Sequence, residues 1–552
     1  MRKAIPLGVV DYETLKNQNY FFIDKSMMIY DFLMRKSTVT LITRPRRFGK
    51  TINMSMMSSF FDITKDSKEI FKDTKIVETE YISEMNQYPT IFISFANAKN
   101  DKWNVVKEIK LQLRKEYDRY AHVFEQKMTV FEQNEYESLV QGLMTKNDGI
   151  LDNIIDALSF LMERLEKYYH KKVMVFIDEY DTPFIEAHVG GYYEELRGGL
   201  SSLLHNALKT STSLHYAMMT GIQRVAKENI FSDLNNLVVC TVKDPEYSQY
   251  FGFTEEEVKK LCEEYAMNFE EAKAWYNGYG LISHSRLEDR KYSIYSPKSV
   301  VEAMLRHKFG TYWNRTETYE ALKIYIQMNM DGLKDSVIQM LAGEGVRINT
   351  GTFSNDMTTF ATKDDVLTLL VHLGYLTYNS ETEKVTIPNK EVSQEYLNAI
   401  STMDWHEVMR SVENSRKLVE ALWNQDAKAV AAGIENVHDE ISILQYHDEN
   451  SLSCTIHLAF YFAREYYTII RELPTGKGFA DICMIPRKIH ADKPAVIIEL
   501  KWDKDAEGAI AQIKEKKYVK SLEDYKGNLL LAGINYDKKT KTHTCVIEKV
   551  EL

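Results

Sequence analysis

Five short apolar runs recur along the first half of the chain: TVTLIT at 38–43, TIFISF at 90–95, VMVFID at 173–178, LHYAMMTG at 214–221 and LVVCTV at 237–242. Polar stretches with helical spacing separate them. Most of the runs are nearly continuous in apolar residues, as strands covered on both faces are, so the pattern predicts a parallel α/β sheet. The first run leads into a short polar loop, and then INMSMMSSFFDI at 52–63 carries apolar residues at helical spacing. That loop therefore joins a strand to a helix.

From about residue 251 the pattern changes. FTEEEVKKLCEEYAM reads as a helix opened by a capping box, Thr254 with Glu257 three residues on. Between 364 and 390 the spacing predicts a helix stopped at Gly374, then two alternating strands, YLTY and KVTI, around the turn NSETE. A helix followed by a hairpin is compatible with a winged-helix module. The polar helical stretch 401–445 reads as a connector. Strands return with FADICMIP at 479–486, AVIIELKW at 495–502 and NLLLAGINY at 528–536, interrupted by the helix DAEGAIAQIKEKKYVKSL. There is no internal repeat.

At 552 residues the chain exceeds what one core supports, about 250 to 300 residues, so two or three domains are expected. Hydrophobic residues at 44%, charged residues at 27% and a mean hydropathy of -0.36 describe an ordinary globular balance. The net charge of -11 means that nucleic acid could be held only at a local basic patch. No apolar stretch reaches membrane-spanning length, and the sequence reads as cytosolic, without a membrane partner. The five cysteines are scattered and form no zinc or disulfide pattern; Cys240 and Cys483 fall in strand-like runs and are expected as buried thiols.

The loop after the first strand is RPRRFGKT, 44–51, which ends like a phosphate-binding loop, G-x-x-x-x-G-K-[ST], but has Arg44 where the first glycine belongs. In such a loop backbone N–H groups from Arg47 and Phe48 through Thr51 would face a phosphate, with Gly49 allowing close approach. Lys50 would neutralise the β/γ-phosphates, and Thr51 would ligate Mg²⁺. The run VMVFIDEYD ends in Asp178 and Glu179, where a Walker B strand supplies one carboxylate for Mg²⁺ and a second to polarise water. Capping of the next helix is the plainer alternative. Thr220 and Arg224, at the end of the fourth run, are candidates for sensing the γ-phosphate and stabilising transition-state charge, with simple solvation the alternative.

A second constellation lies near the C-terminus. Strand alternation turns Glu499 and Lys501 to one face and Ile498 and Leu500 to the other. An antiparallel return would bring Asp481 beside Glu499, giving two carboxylates to hold Mg²⁺ and a lysine to orient water or face a phosphate. On the following helix Gln512, Lys514, Lys516 and Lys517 form a phosphate-contacting patch or a solvated face, while Ile510 and Ile513 suit the buried side.

The series YFFIDKS, LITRPRRFGKT, VFIDEYDTP, TGIQR, IFSDLNNL and FGFTEEEV resembles the AAA-ATPase-like family of bacterial P-loop proteins, with WYNGYG, YSPKSV, GYL and IPNKEV similar to its usual continuation. GKGFADI, IIELK and AIAQIKEKKY resemble the PD-(D/E)XK nuclease domain that commonly accompanies it. In that family the loop is written R-P-R-R-F-G-K-[ST], so Arg44 fits. The resemblance implies an α/β protein with a P-loop parallel-sheet ATPase domain over 1–250, a helical, winged-helix-like region over 251–400, a connector over 401–445 and a restriction-endonuclease-like α/β domain over 446–552. It implies Lys50 and Thr51 as phosphate and Mg²⁺ contacts, Asp178 and Glu179 as the Walker B pair, and Asp481, Glu499 and Lys501 as the nuclease core. Gln512 is implied as the polar residue of the next helix, and Glu449 as one more acid upstream.

The expected function is an ATP-binding, ATP-hydrolysing protein coupled to Mg²⁺-dependent cleavage of nucleic acid, DNA being the substrate adopted while RNA stays open. A sensor or scaffold that binds nucleic acid or a protein without cutting is the alternative. A third is a nuclease with a vestigial ATPase. Assembly into a homo-oligomer is left open.

Overall fold

The computed structural model describes the chain except residues 1–3, 5, 7, 146–148, 224–236, 245, 285–288, 314–318, 329, 352, 354–359, 404, 441–448, 476–477, 516–524, 526 and 551–552. The chain forms two compact units. One comprises Met1–Thr318 with Arg347–Val392, the other Tyr319–Val346 with Ser393–Leu552.

In the first unit the five apolar runs become the strands β1 (Val39–Thr43), β2 (Thr90–Ser94), β3 (Val173–Asp178), β4 (Leu214–Gly221) and β5 (Leu237–Cys240) of one sheet. All pairings are parallel, in the order β2-β3-β4-β1-β5. Both faces are buried: Val173, Val175 and Ile177 of β3 join one core cluster, and Met174 and Phe176 the other. This two-sided burial is why the runs lack polar alternation. The helix Lys50–Phe61 follows β1 directly after the RPRRFG loop.

The same unit contains the helix Glu255–Tyr265, whose capping box of Thr254 and Glu257 is formed, and a second helix Pro297–Arg306. The helix Lys363–Leu373 ends at Gly374, whose φ of 88° a side-chain-bearing residue rarely adopts. The antiparallel hairpin Thr377–Asn379 with Lys384–Thr386 follows, as the alternation predicts.

In the second unit a five-stranded sheet runs in the spatial order Tyr467–Thr475, Gly478–Pro486, Ala495–Trp502, Leu529–Asp537, Thr542–Lys549. Its central pair is parallel and the others antiparallel. The crossover between the parallel strands carries the helix Ala506–Glu515, which buries Ala506, Ala509, Ile510 and Ile513. It packs so closely that a Cβ on Gly533 would lie 2.2 Å from the Ala506 carbonyl oxygen. The stretch 401–445, expected as a connector, forms in its described part the helices His406–Trp423 and Ala427–Glu440, and these pack against each other, against Glu449–Ala459 and on the edge strand Thr542–Lys549. Their buried stripe of Val408, Leu418, Val419, Leu422, Val430 and Ile434 explains the difference. The middle region is divided as well: 319–346 belongs with this unit.

The cysteines are free, and burial pushes the Cys240 and Cys483 thiols up to about 11 and about 12. Among the described residues no helix is long and apolar enough to cross a membrane.

Candidate functional site

The first site is built where β1, β3 and β4 end side by side. Register places Thr43 opposite Gly221 and Ile177 opposite Met219, so β4 separates the loop strand from the acidic strand while their C-terminal ends stay level. Asp178, fully buried, is the shared centre. Thr51 Oγ donates to its Oδ2 at 2.7 Å and Thr220 Oγ donates to its Oδ1 at 2.6 Å, with Ser94 Oγ 3.5 Å from Oδ2. Burial pushes the Asp178 carboxyl up, and these two hydroxyl bonds oppose that shift.

Gly49 precedes the helix at φ 83°, and Arg47 stands at φ 69°, so the loop turns through two left-handed residues in its second half. Lys50 is buried, and its Nζ donates to the carbonyls of Arg44 and Pro45, both at 3.0 Å. Burial pulls the Lys50 ammonium down; Glu179, Asp178 and Asp181 hold it up. Glu179 also stands at positive φ, 52°, a conformation that costs a non-glycine residue about 1 kcal/mol or more. Its backbone there is fixed by Tyr180 N–H on the Thr220 carbonyl at 3.0 Å, and Thr182 Oγ donates to its carboxylate at 3.2 Å.

Beside the loop lies a cavity of about 440 Å³. Gly49, Lys50, Thr51 and Glu179 line it together with the apolar Val10, Phe21, Ile23, Phe253 and Val301. Arg47 and Phe48 line it as well. A lining that combines a helix N-terminus with apolar side chains suits a nucleotide, whose phosphates favour the one and whose base favours the other.

Two residues here carry roles that the sequence did not disclose. Arg44 does not face the cavity. Its buried guanidinium donates to the carbonyls of Thr43 at 2.9 Å, Cys240 at 3.1 Å, Thr241 at 2.5 Å and Glu246 at 2.8 Å, so it ties the end of β1 to the turn after β5. Burial pulls it down to about 10, still cationic at neutral pH. Asp181 accepts the backbone N–H groups of Ile222 and Gln223 through Oδ2, at 2.8 and 3.0 Å, and fixes the turn out of β4. A Cβ on Gly221 would come within 2.7 Å of its other oxygen. Only the third acid of the DEYD run hinted at it. Arg224 lies outside the described residues.

The second site lies on the strands Gly478–Pro486 and Ala495–Trp502. Ile482 pairs with Ile498, and continuing that register sets Asp481 across from Glu499. Asp481 Oδ2 accepts the Leu500 N–H at 2.7 Å. Lys501 Nζ donates to Glu499 Oε1 at 3.1 Å and to Gln512 Oε1 at 2.7 Å, and the Gln512 amide donates to Glu499 in turn. Glu499 is 2% exposed and Lys501 8%, because the helix bearing Gln512 covers their face. On that helix Lys514 forms an exposed pair with Glu548, and Lys516 and Lys517 lie outside the described residues. Glu449 begins the helix Glu449–Ala459, and its side chain lies outside what is described.

Among the described residues no three His, Cys, Asp or Glu side chains gather as a metal cage. Mg²⁺ needs only one or two carboxylates, the remaining positions being water or phosphate oxygen, and both sites offer hard oxygen donors alone. The donor chemistry fits at Thr51 with Asp178, and at Asp481 with Glu499.

Residues 6–231 match the model of the AAA-ATPase-like family, described as a predicted AAA-ATPase, and residues 448–545 match that of the PD-(D/E)XK nuclease superfamily. The chain carries an AAA-ATPase-like domain and a PD-(D/E)XK nuclease superfamily domain. A protein of Azotobacter chroococcum mcd 1, described as uncharacterized and encoded in the vnfD 5' region, is 23% identical over 327 residues, 57% of this chain and 55% of its own length. The chain thus spans about half of that relative. Among solved structures, a STAND signal-transduction ATPase with a tetratricopeptide repeat sensor from Pyrococcus horikoshii is 14% identical with a TM-score of 0.24, covering 80% of this chain and 53% of that one. The ORC2 protein of Aeropyrum pernix, in ADPNP and ADP complexes, is 11% identical with a TM-score of 0.29, covering 73% and 96%. The AAA-ATPase-like domain contains the loop, the Asp178 centre and Thr220; the nuclease-superfamily domain contains Asp481, Glu499, Lys501 and Gln512.

Proposed function

We propose that the AAA-ATPase-like domain binds and hydrolyses ATP, and that the PD-(D/E)XK domain cleaves nucleic-acid phosphodiesters under its control. The observation that carries the first half is Asp178, held by hydroxyls from the phosphate-loop helix and from β4. The next residue, Glu179, lines the cavity beside Lys50 and Thr51. When bound, Mg²⁺ would supply charge neutralisation of the β- and γ-phosphates there. Lys50 exchanges its two carbonyl partners for phosphate oxygens, the amides from Arg47 to Thr51 follow the phosphate surface, and Glu179 orients and deprotonates the attacking water.

In the nuclease-superfamily domain, Asp481 and Glu499 would hold Mg²⁺, which activates a water for attack on phosphorus. Lys501 supplies positive charge beside that phosphate, and Gln512 keeps Lys501 and Glu499 aligned. DNA is the substrate proposed first, with RNA as an arm of the test. The experiment incubates plasmid, linear duplex, single-stranded DNA and RNA with the protein and Mg²⁺, with and without ATP. Products that require Glu499 support the nuclease.

The burial of Glu499 and Lys501 favours a second reading, in which this domain binds nucleic acid or a protein without cutting. Retention of labelled DNA with no product, equal in Glu499→Ala, would decide for it.

A further inference from the structure

The loop RPRRFGKT is held from two sides. On the inner side Lys50 Nζ bonds the carbonyls of Arg44 and Pro45 at 3.0 Å each. On the outer side Trp313 Nε1 donates to the next carbonyl, that of Arg46, at 3.3 Å. Three successive peptide groups are therefore fixed by two donors, one of which must leave to meet a phosphate. The same outer side is packed: Phe48 stands edge-on to Tyr279 with ring centroids 5.0 Å apart, and Pro45 lies against Gly374, where an added Cβ would meet it at 2.8 Å. Tyr279 and Gly374 are themselves joined, Tyr279 Oη donating to the Gly374 carbonyl at 2.8 Å. Trp313 continues to Tyr375 through an edge contact at 5.2 Å. Gly374 and Tyr375 lie, with Leu376, between the helix Lys363–Leu373 and the hairpin Thr377–Asn379 with Lys384–Thr386.

Resting on the nucleotide reading above, we infer that Tyr279 and Trp313 are positioning residues of the phosphate loop, and that through them phosphate occupancy is transmitted to the helix–hairpin module over 363–386. The loop lacks the first glycine, and Arg44 anchors its start to the turn after β5, so that end cannot move. When Lys50 turns to a phosphate, the Arg44 and Pro45 carbonyls lose their donor, and relaxation falls on the peptides between the anchor and Gly49. Those peptides carry Pro45, the Arg46 carbonyl and Phe48, the three points that touch Gly374, Trp313 and Tyr279. A packed contact of this kind does not deform continuously; it shifts as a unit. The outer side of the arginine-proline-arginine-arginine-phenylalanine lead is then a transmission face, and the phosphate contacts belong to the backbone amides from Arg47 to Thr51.

The test uses the full chain with Mg²⁺ and a non-hydrolysable ATP analogue. Binding is measured with a fluorescent form of the analogue, and hydrogen exchange is followed in peptides covering 371–386. In the wild type, saturation changes exchange in those peptides, and the emission difference between wild type and Trp313→Phe shifts on binding. Trp313→Phe and Tyr279→Phe bind about 3- to 10-fold more weakly, as expected for one lost hydrogen bond, and at saturation no longer alter exchange there. Saturable, Lys50-dependent binding with unchanged exchange in the wild type overturns the coupling and leaves the nucleotide site standing. A full response retained in both variants at saturation overturns the positioning role. Absence of Lys50-dependent binding removes the nucleotide reading and the coupling with it.

Discussion

Thr51 donates its hydroxyl to Asp178 at 2.7 Å, joining residues 127 positions apart, one in the first turn of the helix after β1 and the other at the end of β3, two strands that do not pair with each other. Thr220, on the strand between them, takes the other oxygen at 2.6 Å. This arrangement gives the first prediction. Lys50→Ala should weaken ATP binding about 10- to 100-fold, the value of one or two hydrogen bonds to a charged group. Glu179→Gln should bind ATP normally and hydrolyse it at least about 100-fold more slowly. Titration with a fluorescent analogue and a phosphate-release assay separate the two effects; equal turnover in Glu179→Gln would remove its assigned role.

Arg44→Gly restores the residue of the general loop pattern and should nonetheless harm the protein. It strands buried carbonyls at Cys240, Thr241 and Glu246 that now share one guanidinium, a loss of about 3 kcal/mol. Urea unfolding of the full chain should show an earlier first transition. A variant as stable as wild type with tighter nucleotide binding would mean that Arg44 is not a structural clamp.

Burial pushes the Asp181 carboxyl up to about 6 from the usual 3.8. Between those values the folded protein keeps a proton that the unfolded chain has released. The resulting stability is therefore full below about pH 4 and lost as the pH rises to 6, by about 3 kcal/mol in all. Asp181→Asn does not titrate, so calorimetry at pH 4, 5, 6 and 7 should show wild type losing ground to the variant up to pH 6 and holding level above it. A flat difference would contradict the buried site described.

In the nuclease-superfamily domain, Glu499→Ala and Lys501→Ala should each abolish Mg²⁺-dependent cleavage while leaving ATP binding intact. Gln512→Ala should reduce cleavage about 10- to 100-fold, since it aligns both groups without being asked to hold metal. Undiminished cleavage by Glu499→Ala and Lys501→Ala together would eliminate the site.

The inner strands of the first sheet were readable because burial on both faces leaves a continuous apolar signal, the edge strand β5 carries an apolar run although half-exposed, and motifs at the strand ends located Lys50, Thr51, Asp178 and Thr220. Asp481 beside Glu499 was expected from an antiparallel return of the chain through the polar segment between the two strands. Arg44 was not readable, since its partners are backbone carbonyls nearly 200 positions away, and carbonyls have no sequence signature. Trp313 and Tyr279 escaped for the same reason. The stretch 401–445 misled because its buried stripe is narrow and its remaining positions are polar, the composition of a helix with one covered side. Lys514 was read as either a phosphate contact or a solvated face, and its ion-pair partner Glu548 lies on a strand the sequence did not disclose.

The second unit is discontinuous in sequence. Lys334 pairs with Glu407 at 2.5 Å and Glu344 with Arg471 at 3.1 Å, so residues 319–346 are stitched into a body whose main segment begins at Ser393. A recombination event that transferred only the C-terminal 160 residues to another gene would leave behind two helices, Tyr319–Ile326 and Leu333–Leu341, and two ionic partners. Inheritance of this nuclease-superfamily unit therefore favours keeping the stretch 347–392 in place, and with it the helix and hairpin that carry the contact to the phosphate loop.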